Sequence, residues 1–160
     1  MTKSSFRVCL AFVTISMMAA LSVTLRAHPL GPLTNRQLAA ARAGTAAYHD
    51  LSAALADGYV PLGFNPDEGA FEFVNFALVD CTFDPSHPEA LAFVPSGNGM
   101  RLVGVEYVIP MACTPPGVPP QGFDGDDDIW GQEEGLPLWR LGAMIWAGRE
   151  AGPFDAADGD

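Results

Sequence analysis

The run of residues 100–110, MRLVGVEYVIP, constrains this chain more than any other stretch. Val103, Val105, Tyr107 and Ile109 alternate with Leu102, Gly104, Glu106 and Val108, the two-residue period of a strand. Both sets are mostly apolar, so the strand should be covered on both faces. That leaves Glu106 as a carboxylate in the middle of a central strand. Burying a charge is costly unless it is paired, protonated or metal-bound. Some partner must face it.

The neighbours of this strand follow from turn chemistry and alternation. Residues 90–95, ALAFVP, form a short strand, and Ser96-Gly97-Asn98-Gly99 is a strong hairpin turn leading into the central run. Two more strands are expected, at 70–79 and 138–147. In the first, Glu72 shares a face with Ala70, Val74 and Phe76. In the last, Arg140, Gly142, Met144 and Trp146 share a face with Leu138.

Before the strands, one long helix is expected over residues 35–57. Thr34 would be its N-cap, Gln37 would complete a capping box, and Gly58 would stop it. Leu38, Ala41, Thr45, Tyr48, Ser52 and Leu55 fall on one stripe of small and apolar residues, suited to packing on a sheet. The expected class is α+β: a long N-terminal helix on an antiparallel sheet of about four strands, with scope to curl towards a barrel.

The segments 58–69 and 111–137 are rich in glycine and proline and read as irregular. Within the second, residues 122–134 form an acidic loop. Asp124, Asp126 and Asp128 have the spacing of a calcium loop. Ile129 stands where such a loop needs glycine, and Gly135 where it needs glutamate. A solvated acidic loop is the expectation.

Charge and export signals narrow the function classes. The 160 residues hold 8 Lys+Arg and 19 Asp+Glu, a net charge of −11. Lys3 and Arg7 precede an apolar run over residues 8–21, the pattern of a signal peptide spanning residues 1–27. The run is shorter than the roughly 20 residues a membrane span needs. Lys3, Arg7 and Arg26 lie in this segment and no acid does. A product beginning at residue 28 would therefore keep five basic and nineteen acidic residues, a net −14. Such a protein is repelled by nucleic acid and anionic lipid, so neither is expected as a partner, and no stable membrane association is expected after cleavage. The expected location is periplasmic or secreted, with residues 28–160 as a single domain ending in a flexible polar tail. Two cysteines remain after cleavage, Cys81 and Cys113, and an even count in an exported chain suggests a disulfide.

Five pieces, TAAYHDLSAALADGYV, FEFVN, PEALAFVP, LVGVEY and LWRLGAMIWAGREAGPF, resemble a family of small, uncharacterised exported bacterial proteins. The resemblance runs from about Leu38 to Phe154. It implies a histidine at the position of Glu72, another at the position of Gly142, and a retained glutamate at Glu106. Two histidines and a carboxylate on three strands would form a metal site. This chain lacks both imidazoles, so the resemblance implies a hard divalent cation at Glu72 and Glu106 if any, or a site lost to pairing with Arg140.

The function classes that follow are a small-ligand binding module or non-catalytic relative of that family, a metal-dependent enzyme using Glu72 and Glu106, and an acidic structural or interaction protein. In the first, Phe76, Met144 and Trp146 would line a pocket, with Glu72, Glu106 and Arg140 as polar anchors. The partner is a small molecule or a protein. No nucleophile motif, phosphate loop or zinc-ligand spacing occurs.

Overall fold

The computed structural model describes residues 30–66, 68–125, 128–133, 135–148 and 152–154. The expected signal peptide lies outside these residues, as do Asp126 and most of the C-terminal tail. The α+β class holds, with more strands than expected. Six strands form one antiparallel sheet in the order β1-β2-β3-β4-β6-β5. They are β1 Val60–Asn65, β2 Ala70–Val74, β3 Ala90–Ser96, β4 Gly99–Pro110, β5 Gly131–Gln132 and β6 Leu138–Ala143. The sheet is not closed into a barrel.

The two additional strands lie at the edges. β1 contains Pro61 and Gly63, which read as turn residues in isolation. Edge strands tolerate both, because one side of their ladder is unpaired. The β1–β2 register shifts between Pro61 and Gly63. β5 has only two residues, too few for any periodicity.

The expected long helix is three pieces. Helix α1 spans Pro32–Thr45, a 3-10 turn spans Ala46–His49, and helix α2 spans Leu51–Ala56. Asp50 takes an extended backbone at the break, and its side chain accepts from the Ser52 N–H to cap α2. The buried stripe follows Leu38, Ala41 and Thr45 as expected. Past the break it slips by a residue, so Ala54 is buried and Leu55 exposed.

Helix α1 starts at Pro32, with Gly31 rather than Thr34 at its N-cap. Thr34 and Gln37 do not form a capping box. The Thr34 hydroxyl donates to the Asp124 carbonyl, and the Gln37 side-chain oxygen accepts from the Asp124 N–H at 2.7 Å. Together they clamp the acidic loop onto the helix. The loop is therefore docked rather than merely solvated at its start. Its Phe123 is buried, with ring centroids 5.0 Å from Phe83 and 5.5 Å from Tyr107.

The main core lies between the helices and one sheet face, where Phe73, Leu91, Phe93, Val105, Tyr107 and Leu141 meet Leu38 and Ala41. Gly44 is required here. A Cβ at that position would overlap the Ser86 carbonyl, with its carbon only 2.9 Å away. The strand alternation read from the sequence flips at one point. A bulge between Ala92 and Phe93 pairs Phe93 with Leu102, so Leu102 joins the helix-side core. Val103 joins a smaller cluster on the opposite face with Ala70, Ala92 and Met144.

Cys81 and Cys113 are disulfide-bonded, Cα–Cα 5.3 Å, at a sequence separation of 32. The bond ties the loop after β2 to the 3-10 turn after β4. Loop-closure entropy makes such a link worth about 3–4 kcal/mol.

Candidate functional site

The candidate site lies on the sheet face turned away from the helices. Register brings its residues together. Glu106 on β4 pairs with Gly142 on β6, and Val108 pairs with Arg140 two residues along. Glu72 on β2 lies opposite Ala92, whose other neighbour is Gly104 on β4. Period-two alternation therefore sets Glu72, Glu106, Arg140 and Gly142 on one face.

Arg140 sits at the centre and uses all three guanidinium nitrogens. Nε donates to Glu106 Oε2 at 3.0 Å, Nη1 to Glu133 Oε2 at 2.6 Å, and Nη2 to Glu72 Oε1 at 2.9 Å. Nη2 also donates to Glu106 Oε2. Glu68 Oε1 lies 3.9 Å from Nη2. Four carboxylates thus surround one guanidinium. Asn65 on β1 donates a further hydrogen bond to Glu72 Oε1 at 2.5 Å.

Glu106 is the most deeply placed, at 2% exposure. Its Oε2 is held by Arg140, but its Oε1 is buried and finds no hydrogen-bond partner among the described residues. Burial pushes the Glu106 carboxyl well above the usual carboxylate range. Glu68 and Glu72 add to the rise, and Arg140 opposes it without cancelling it. Burial disfavours the Arg140 charge, but Glu106, Glu133 and Glu72 outweigh that and hold the guanidinium firmly protonated.

A cavity of about 360 Å³ opens beside Glu106. Glu68, Glu106 and Arg140 form its polar wall, and Ile129, Met144 and Phe154 its apolar wall. Gly142 leaves the space free, since a Cβ there would meet only Glu68 Oε1, at 3.6 Å. A second groove shares Arg140 and is lined by β1 at Leu62–Asn65 and by Gln132 of β5. The two outer strands of the sheet thus curve round to border one groove without pairing.

Of the expected pocket-lining residues, only Met144 reaches this cavity. β2 ends at Val74, so Phe76 leaves the strand face and stands 66% exposed. β6 ends at Ala143, and Trp146 lies on the helix side. Its indole N–H donates to Thr45 Oγ1 at 3.3 Å, and its ring stacks edge-on to His49. Glu68, Glu133, Ile129 and Phe154 carry no strand signal in the sequence and come to the site on loops. The last belongs to the tail, whose described part is docked: Pro153 accepts from the Met144 N–H at 2.7 Å.

A carboxylate oxygen from each of Glu68, Glu72 and Glu106 lies within 4.8 Å of the others. This donor set does not fit a transition metal, because it offers no neutral nitrogen and Arg140 already donates to two of the three carboxylates.

A third buried carboxylate, besides Glu72 and Glu106, lies elsewhere. Glu89, just before β3, accepts from the Val108 N–H at 3.0 Å, beyond the last β3–β4 register pair. Burial raises it to about 7. No sequence pattern marks it, since it stands in a loop beside Pro88.

No protein-family model, curated protein or solved structure matches this chain. Among the described residues no helix is long and apolar enough to cross a membrane.

Proposed function

We propose that this chain is an exported, non-catalytic binding protein whose ligand is a small molecule held in the cavity beside Glu106. The observation that carries this reading is the half-satisfied Glu106 carboxylate lining a 360 Å³ space with one polar and one apolar wall. Ligand sites have this character: mostly apolar, with a few placed polar groups. Glu72 and Glu106, the pair an acid–base enzyme would use, are instead tied to one guanidinium. The disulfide, the N-terminal signal pattern and the acidic composition support export. The same charge disfavours nucleic acid and membrane surfaces as partners.

The cavity is tested by methyl NMR of protein labelled at methionine, screened against a small-molecule library. Ligands should move the Met144 methyl and leave Met100 and Met111 in place. A library that never moves Met144 would remove the reading. Export is tested by intact mass, which should show loss of the first 22–27 residues.

A second reading, a remnant of a two-histidine, one-glutamate metal site, is supported by one observation. The three positions the resemblance points to, Glu72, Glu106 and Gly142, share a face, and Glu106 and Gly142 are register partners. An acidic structural or interaction role would use the surface of the loop at 122–134 and leave the cavity without a task.

A further inference from the structure

We infer that the cavity beside Glu106 takes a small organic ammonium ion, its charged head between Glu106 and Glu68 and its apolar body along Ile129, Met144 and Phe154. This deepens the proposed binding function and rests on it.

Charge decides the sign of the ligand. Glu68, Glu72 and Glu133 join Glu106 around Arg140 alone, so the wall is net negative even with Glu106 protonated. An anionic ligand would look to Arg140, but each of its three nitrogens already donates to a carboxylate. Among the described residues, Glu106 Oε1 is a buried acceptor without a partner, in a residue that lines the cavity. A buried acceptor is costly to leave unmade, so a donor there gains that energy. The donor should be cationic, since a charge-assisted hydrogen bond is about twice as strong as a neutral one.

Geometry separates an ammonium from a metal ion. A calcium ion takes 6–8 oxygen ligands. Here it would have to compete with a guanidinium that holds Glu72 and Glu106 and sits 3.9 Å from Glu68. An ammonium needs only two or three acceptors and can enter beside Arg140. It also gives Ile129, Met144 and Phe154 a purpose that a bare ion does not. The head group fits over Gly142, where the backbone carries no side chain and Glu68 Oε1 lies just beyond.

The experiment uses 2-phenylethylammonium chloride as probe, with 2-phenylethanol, 3-phenylpropionate and calcium chloride as comparisons. Binding is read by calorimetry and by the Met144 methyl shift. The ammonium should bind saturably and at least tenfold more tightly than the alcohol. Glu106→Gln should weaken it at least tenfold, and so should Gly142→Val, which fills the head-group space. Asp80→Asn, an exposed acid outside the cavity, should change nothing. Preference for phenylpropionate or the alcohol, or binding indifferent to both cavity variants, would overturn the ammonium assignment while leaving a ligand cavity. Calcium binding that depends on Glu106, without ammonium binding, would replace it with a metal site. Silence of Met144 towards every probe and towards the wider library would remove both inferences.

Discussion

Glu106 and Gly142 face each other across the β4–β6 ladder, and the side chain that Gly142 lacks is what leaves space beside the Glu106 carboxylate. A Cβ at 142 would enter that space and approach Glu68 Oε1 to 3.6 Å.

That pairing makes the remnant-site reading testable. Glu72→His with Gly142→His should place two imidazoles beside Glu106. Calorimetry should show weak zinc binding by the natural chain, tight binding by the double variant, and loss when Glu106→Gln is added. A Cβ at 142 meets only Glu68 Oε1 at 3.6 Å, so the position itself admits a side chain, and circular dichroism should show the double variant folded. A folded double variant without zinc affinity would dispose of the shared-site geometry.

Gly44 and Gly142 should respond oppositely to alanine. In an exposed helix interior, alanine for glycine stabilises by about 1 kcal/mol. At Gly44 the new methyl meets the Ser86 backbone, which cannot rotate away, so Gly44→Ala should destabilise by about 1–3 kcal/mol. Gly142→Ala should be neutral or mildly stabilising. Urea unfolding midpoints of the two variants would check the contrast.

Glu89 sets a pH dependence. Its folded value near 7 lies above the ordinary 4.5, so the folded state holds this proton more tightly than the unfolded chain. The stability it contributes is complete below pH 4.5 and is lost as pH rises through 7. The loss is on the order of 3 kcal/mol. Glu106, also shifted upward by burial, acts with the same sign. Unfolding free energy should therefore fall between about pH 5 and 8, and Glu89→Gln should flatten part of that fall. An identical slope in the variant would show that Glu89 is not the titrating group.

Phe123 anchors the acidic loop. It contacts Phe83, Tyr107 and Phe154, the last at a centroid distance of 4.9 Å. Phe123→Ala should cost about 3–5 kcal/mol. Because Phe154 lines the cavity, the same change should also shift the Met144 methyl resonance. A loop that is only solvated would tolerate the change, and urea unfolding would then show no loss.

The central part of this structure was legible because its signals are local. Alternation and the Asn98-Gly99 turn define β3 and β4, and two isolated carboxylates on apolar strands single out Glu72 and Glu106. The resemblance implies a pairing with Arg140 as one outcome of a lost site; the structure has Arg140 donating to both carboxylates at once. What escaped was non-local. The capping residues Thr34 and Gln37 spend their hydrogen bonds on Asp124, 90 and 87 positions away. Alternation extended past Ala143 misplaces Trp146, because β6 has already ended. Glu68 and Glu133 reach the site on loops, whose path no periodicity records.

The shape of β1 bears on how copies of this chain behave towards one another. Val60, Leu62 and Phe64 are exposed on an outer strand, a composition that invites a second chain to add its own strand. Pro61 removes a donor from that strand, and the shift between Pro61 and Gly63 throws its repeat out of step. An incoming copy would find neither a continuous row of donors nor a steady register. The apolar side chains can therefore border the groove around Arg140 while the strand makes a poor template for fibres.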